Sequence, residues 1–427
     1  MLKPEKTPGK TDWFVNDRFG LFIHWGIYAV PARHEWIKNY EKITTEDYQK
    51  YFDHFNPDLY DPKIWAKAAK DAGMKYAVIT TKHHDGFCLW DSKLTDYKAT
   101  NTPAPRDLLK EYVEAFRKEG LKIGFYHSLI DWHHPEFPVD FLHPQKDDEE
   151  FKKKEAERDI KKYAEYLHGQ VKELLTEFGK IDILWFDFSY NRKQDGMKGK
   201  GKDDWESEKL LKMIRELMPD IIINNRLEID QDIHTPEQFQ PRGWVHADNK
   251  PVVWEACQTL NGSWGYDRDN LDWKSTDMLV KMLIDGVSKG GNLLLNVGPT
   301  ARGEFDPLAL ARLSEIGEWM RLHGRSIYGA TQSEFTAPQD CRFTQKGKRL
   351  YLHIFSWPLK AIHLDDMADK IKFAQLLNDG SEIKMQKQNS QQEHTALSEA
   401  VDSNTLTLIL PIQKPNVEVP VIELFLE

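Results

Sequence analysis

Cysteine is scarce in this chain: Cys88, Cys257 and Cys341 are the only three in 427 residues. The number is odd and none falls in a CxxC pair, so neither a disulfide framework nor a cysteine metal site is expected. A reducing compartment is the default. No segment approaches 18 consecutive apolar residues, which argues against a membrane helix and a membrane partner. The first ten residues, Met1 to Lys10, have no apolar h-region; the expectation is a cytoplasmic protein, with secretion open to a longer precursor. Basic runs are missing as well, and 58 Lys and Arg against 68 Asp and Glu leave a formal charge of −10. A nucleic-acid backbone would be repelled, so that class of partner is not expected. No Gly-rich phosphate loop follows the first apolar run, and no GxSxG marks a nucleophilic serine.

Aromatic residues are plentiful at 12%, with 14 Trp, within a 40% hydrophobic fraction. That is ample for a core, and the surplus of planar rings suits stacking against flat ligand faces. Short β-branched or aromatic runs alternate with amphipathic stretches through the first three quarters. Strands are expected at Phe19 to Trp25, Lys75 to Thr81, Lys122 to Ser128, Asp182 to Phe188, Ile221 to Arg226, Val252 to Ala256 and Asn292 to Val297. Helices are expected at Pro62 to Ala72, Arg106 to Lys118, Glu149 to Phe178, Asp204 to Leu217, Thr276 to Val287 and Leu308 to Leu322. Alternation of this kind predicts parallel strands with helical crossovers, and a (β/α)8 TIM-like barrel fits the length. After about Tyr328 the helical period disappears. Runs at Arg349 to Phe355, Ala361 to Leu364, Ile371 to Leu376, Thr405 to Leu410 and Val417 to Phe425 predict a C-terminal antiparallel β-sandwich. The expected domains are 1–335 and 336–427, with Lys387 to Thr395 as a surface loop.

The run Ile183-Leu184-Trp185-Phe186-Asp187-Phe188 carries one carboxylate among five apolar residues. Burying it is costly unless it has a partner or does chemistry. In a parallel barrel the reacting groups sit at the C-terminal strand ends. Those ends carry His24-Trp25, Lys82-His83-His84-Asp85, Tyr126-His127, Asp187, Asn224-Asn225-Arg226, Trp254-Glu255 and Asn296. Four imidazoles raise a metal site, but His83 and His84 would point to opposite sides of an extended strand. Neither HxH nor HExxH occurs, and no metal or other cofactor is expected. Neutral donors, indoles and carboxylates instead suit a sugar ring, whose acetal two carboxylates can open.

The strings Phe19 to Gly26 (FGLFIHWG), Glu35-Trp36 and Thr80 to Phe87 (TTKHHDGF) resemble the α-L-fucosidases of glycoside hydrolase family 29. So do Trp185-Phe186-Asp187, Ser263-Trp264-Gly265-Tyr266 and Lys289 to Pro299 (KGGNLLLNVGP). The likeness spans about residues 10–330. It implies a retaining exo-α-L-fucosidase acting on terminal fucosides of oligosaccharides and glycoconjugates through a covalent fucosyl-enzyme. Asp187 takes the nucleophile position. Glu237 is favoured as acid/base, with Glu255, read as lying at a strand end, as runner-up. The likeness further implies that His24, Glu35, Trp36, His83, His84, Tyr126, Trp185 and Arg226 surround the sugar, with Trp264 over its C5 methyl. Arg226 and the imidazoles are expected to hold the Asp187 pKa down.

For His127 strand alternation favours a packing role, and Asp85 is read as serving the turn before Gly86. Trp132 and residues 131–135 are expected to border the leaving-group site, with the aglycone site built from loops such as 135–146 and 191–202. A non-catalytic fucose-binding protein and a retaining glycosidase for another sugar remain as alternatives. Oligomeric state is open, a homo-oligomer among the options.

Overall fold

The computed structural model describes residues 3–387 and 402–427. Its central feature is a curled, seven-stranded parallel sheet. The strands are β1 (Phe19–Ile23), β2 (Tyr76–Lys82), β3 (Lys122–Ser128), β4 (Ile183–Asp187), β5 (Ile222–Ile223), β6 (Glu255–Thr259) and β7 (Asn292–Val297). Their order is β6-β7-β1-β2-β3-β4-β5, so the last strand pairs beside the first. Between β5 and β6 the ring is carried by isolated parallel bridges, Asn224 to Ile233, His234 to Trp254 and Glu237 to Cys257. An irregular segment, 233–237, thus stands in for the eighth strand of the expected (β/α)8 barrel, and the regular sheet has seven. Pro236 has no N–H to give a ladder, and Gln238 sits at φ 58, so pairing there cannot continue.

Side chains alternate across this sheet. Phe22, Tyr76, Val78, Tyr126, Ile183, Trp185, Cys257 and Leu294 form one buried cluster inside the curl. Leu21, Ile23, Ala77, Ile79, Phe125, Leu184, Phe186 and Leu295 belong to a second cluster shared with the helices. Both faces are therefore apolar, as a sheet covered by crossovers requires. The helices are α1 (Pro62–Asp71), α2 (Leu108–Lys118), α3 (Ile160–Glu177), α4 (Ser207–Leu217), α5 (Thr276–Ser288) and α6 (Pro307–His323). Asp61, Asp107, Asp159, Ser275 and Asp306 each accept a backbone N–H at a helix start, and Pro62 and Pro307 follow as first-turn prolines.

Three expected elements differ. The stretch Glu149 to Phe178 is two helices, Glu149–Lys154 and α3, because Asp159 is extended and its carboxylate caps a new start. The run Ile221 to Arg226 stops as a strand at Ile223. Asn224 accepts from the Phe186 N–H at 3.0 Å and donates to its carbonyl at 2.8 Å, taking over the ladder with its side chain. The strand expected at Val252 to Ala256 begins only at Glu255, since polar Gln258 and Thr259 are buried within it.

Beyond the parallel sheet lie β8 (Thr331–Gln332), β9 (Cys341–Lys346), β10 (Arg349–Ile354), β11 (Ala361–Leu364), β12 (Ile371–Leu376), β13 (Lys384–Lys387), β14 (Leu406–Ile409) and β15 (Val421–Leu426). They make antiparallel sheets of order β8-β9-β10-β15-β12 and β11-β14-β13. Leu352, Ile354, Leu364, Leu408 and Leu424 share one apolar cluster across the two. β9, with its polar residues, was not expected from sequence. Past Lys387 the expected surface loop lies outside the described residues. Trp319 of α6 donates to the Val419 carbonyl at 2.9 Å, and Arg342 of β9 reaches Asp285 of α5 at 2.8 Å, which ties these sheets to the helices.

Candidate active site

The inward set of β4 reads Ile183, Trp185, Asp187, so the strand alternation that buries two apolar side chains delivers the carboxylate to the same interior at its end. Asp187 is 9% exposed. The Tyr126 hydroxyl donates to its Oδ2 at 2.8 Å and Arg226 Nη1 donates to Oδ1 at 2.8 Å. Burial nevertheless outweighs these donors, and the Asp187 carboxyl is raised from 3.8 to about 6, with Arg226 opposing the rise. The expectation that Arg226 and the imidazoles depress it is corrected: desolvation is the larger effect.

Arg226 also donates through Nη2 to Glu237 Oε2 at 2.7 Å. One guanidinium therefore carries a buried and a half-exposed carboxylate on adjacent nitrogens. It is itself fixed by the Thr235 hydroxyl and carbonyl at 3.1 and 3.2 Å, and lies over the Trp185 ring at 4.7 Å. The residues that follow the two carboxylates, Phe188 and Gln238, have φ of 79° and 58°. Left-handed backbone at a non-glycine is costly, and here it turns the chain sharply just past each acid.

The imidazoles beside this pair are neutral. Burial lowers His24 to about 3 and pushes His83 and His84 well down. Asn296 donates to the Trp264 carbonyl at 2.7 Å, which fixes its amide orientation, so its Oδ1 accepts from His24 Nδ1 at 2.7 Å. His24 Nε2 is left as an acceptor for a hydroxyl. His83 and His84 both line the pocket, 4.0 Å apart by ring centroids. The expected opposite orientation fails because β2 ends at Lys82 with a register shift, and the chain has left extended geometry at the pair. His84 Nε2 lies 3.8 Å from Asp187 Oδ2. Among the described residues no group of three or more His, Cys, Asp or Glu is placed to hold a metal, and no helix is long and apolar enough to cross a membrane.

Trp36, Tyr126, Trp185, Asp187, Glu237 and Trp264 share this pocket with the histidines. Trp264 tilts against His24 with centroids 5.1 Å apart. Phe22, Phe188 and Cys257 line it too and were not anticipated; Phe22 is legible in retrospect, two residues before His24 on the inward face. Glu35 stands behind the pocket, accepting the Gly265 N–H at 2.8 Å and thereby holding the Trp264 loop. Burial raises its carboxyl to about 7. Asp85 accepts from Phe87 N and from the Tyr48 hydroxyl, and His127 pairs with Thr81 at 2.9 Å away from the pocket. Trp132 packs edge-on against Trp36 and His84. The loops at 135–146 and 191–202 are joined to each other, with Asp140 taking both Lys200 and the Tyr190 hydroxyl.

Glu255 requires a correction. The strand begins at Glu255, which puts it opposite Asn292, the first residue of β7, at the other end of the sheet from Asp187. It is fully buried and bonded to the Tyr76 hydroxyl. Burial raises its carboxyl from 4.5 to about 8. Between those values the folded protein keeps a proton that the unfolded chain releases, so stability falls as pH rises through that window. Glu255→Gln is expected to be more stable than the parent at pH 8 by about 4 kcal/mol and nearly equal to it at pH 4.5. Thermal denaturation at both pH values checks this, and an identical offset at both would remove the explanation.

Paired acids, neutral imidazoles and indole faces at the C-terminal rim of a parallel sheet suit the opening of a sugar acetal, and by fold and site the molecule is a glycoside hydrolase. The α-L-fucosidase family model matches residues 3–325, and the chain belongs to that family. It is 50% identical to α-L-fucosidase isoenzyme 1 from Paenibacillus thiaminolyticus, with a TM-score of 0.91 over 98% of each chain. A Bacteroides thetaiotaomicron α-L-fucosidase, trapped as a covalent intermediate with 2-fluoro-fucosyl fluoride, is 28% identical, with a TM-score of 0.82 over all of both chains. The bovine tissue α-L-fucosidase is 30% identical over 379 residues, 81% of this chain and 75% of that one.

Proposed function

We propose that the protein is a retaining exo-α-L-fucosidase that removes terminal fucose from oligosaccharides and glycoconjugates, with Asp187 as nucleophile and Glu237 as acid/base. The observation that carries this reading is the single Arg226 guanidinium holding both carboxylates beside one pocket. An Asp187 oxygen attacks the anomeric carbon while the glycosidic C–O bond breaks and Glu237 gives its proton to the leaving oxygen. The resulting ester removes the negative charge of Asp187. Arg226 then serves Glu237 alone, and the carboxylate left after the proton transfer takes a proton from water. Water attacks the same carbon, Asp187 leaves, and two inversions restore the configuration. The trapped intermediate of the Bacteroides relative supports this course.

His24, His83, His84 and Trp36 surround the ring, and Trp264 faces the C5 methyl, where an indole accepts CH₃ and leaves a hydroxyl unpaired. These residues all lie within 1–335, so that segment is the catalytic unit and 336–427 braces it. The direct test is an aryl glycoside panel with product anomers read by NMR. A pure binder releases nothing at any pH, and a faster α-galactoside would replace the substrate.

Because Asp187 must be ionised to attack and its carboxyl is raised to about 6, kcat/KM is expected to fall about tenfold per pH unit below that value. Tyr126→Phe removes a donor to the anion and should move this acid limb to higher pH. A limb that stays in place would detach Tyr126 from the nucleophile.

A further inference from the structure

Strand β3 ends in Tyr126-His127-Ser128, and the alternation that turns Tyr126 inward to Asp187 turns Ser128 inward as well. Ser128 is fully buried and lies opposite Asp187 in the register of β3 and β4. We propose that Ser128 is a positioning residue that fixes His84 as its Nδ1–H tautomer, so that Nε2 meets the substrate as an acceptor for a sugar hydroxyl. The sugar's part in this rests on the function proposed above.

A serine hydroxyl has one proton to give and two lone pairs to fill. Here the proton goes to the Ile130 carbonyl at 2.8 Å, and the Ile130 N–H donates to Oγ at 3.0 Å. Ile130 is fully buried and its carbonyl has no other donor among the described residues, so withdrawing the serine proton would leave it unsatisfied. His84 Nδ1 lies 2.7 Å from the same Oγ. With the hydroxyl proton already engaged, the ring nitrogen must be the donor of that bond. Burial keeps the imidazole neutral, with a single N–H. Nε2 is therefore bare and buried, and at 3.8 Å from Asp187 Oδ2 it makes no hydrogen bond. Edge-on contacts with Trp36, Trp132 and Phe188 hold the ring in this plane. Asn296 orients His24 in the same sense, so two imidazoles present lone pairs where a hydroxyl-rich ring brings protons.

The Nε2 lone pair also stands against the Asp187 anion, which gives the tautomer a kinetic signature. The titratable groups facing His84 are His24, His83, Lys82 and Asp187. Those facing Asp187 from the other side are Tyr126, Arg226 and Glu237. All of them are kept in Ser128→Ala. In that variant a proton on Nδ1 would have no acceptor, and the Nε2–H form, pointing at the carboxylate, takes over.

The test reads the ring directly by NMR of protein labelled with ¹⁵N-histidine, with His84→Gln supplying the assignment. His84 of the parent should show a protonated Nδ1 and a bare Nε2; the opposite tautomer, or an imidazolium, overturns the proposal. Ser128→Ala should switch the tautomer and move the acid limb of kcat/KM for an aryl α-L-fucoside about one unit to lower pH. Ser128→Thr keeps the hydroxyl and should restore both. A serine that serves packing alone would lower the rate equally at every pH and leave tautomer and limb in place, and that result also overturns the proposal. A parent without fucosidase activity overturns the catalytic reading and the sugar-accepting role with it, whereas the tautomer is judged by the NMR alone.

Discussion

Asp187→Gly is expected to lower kcat by about four orders of magnitude or more while leaving the protein folded. Among the described residues the side chain is the one carboxylate lying deep in the pocket among Trp185, Tyr126 and His84, and none of these neighbours can take over its attack: the imidazoles are neutral, and Tyr126 is kept protonated by burial next to an anion. Folding should survive, because the variant removes a desolvated carboxyl and leaves Arg226 its second partner, Glu237. The glycine vacates space on the attacking face. Azide entering there should restore turnover and give a fucosyl azide of inverted configuration, since only one displacement then occurs. Rates with and without azide, and the anomer by NMR, decide the matter. Residual activity within tenfold of the parent, or azide that changes nothing, would strip Asp187 of its role.

The second large effect concerns leaving groups. Glu237→Gln keeps a hydrogen-bond acceptor for Arg226 but has no proton to donate or accept in turnover. Cleavage of fucosides with poor leaving groups, sugars above all, should lose about 10²- to 10⁴-fold in kcat/KM. An activated aryl fucoside should keep kcat/KM near the parent's, because its oxygen departs without protonation, while its kcat falls as the ester waits for an unactivated water. A pre-steady-state burst would show the ester accumulating. If the two substrates respond alike, Glu237 is not the acid, and Glu35, the buried carboxyl raised to about 7 behind Trp264, becomes the group to replace.

Much of this site was legible before any coordinates. Strand β3 and β7 run where the residue pattern puts them, and Asp187 stands out because one charge in an apolar strand is so costly. The histidines of the first two strand ends are likewise visible as polar groups that packing would not select. Glu255 was legible only in the wrong place. A run such as Val252-Val253-Trp254 looks more like a strand than Glu255 to Thr259 does, and propensity cannot reveal that polar Gln258 and Thr259 are buried partners of the 238–239 segment.

The chain by itself determined the parallel alternating architecture, the shift to antiparallel strands after about residue 330, and the chemistry of the rim, since each follows from local periodicity and residue type. Tertiary structure alone decided which acids share Arg226, that the ring crosses from β5 to β6 through an irregular segment, and that burial lifts Asp187 rather than leaving it to its arginine. Those outcomes depend on distances and desolvation between residues dozens of positions apart, to which neither a 3.6- nor a 2-residue period is sensitive.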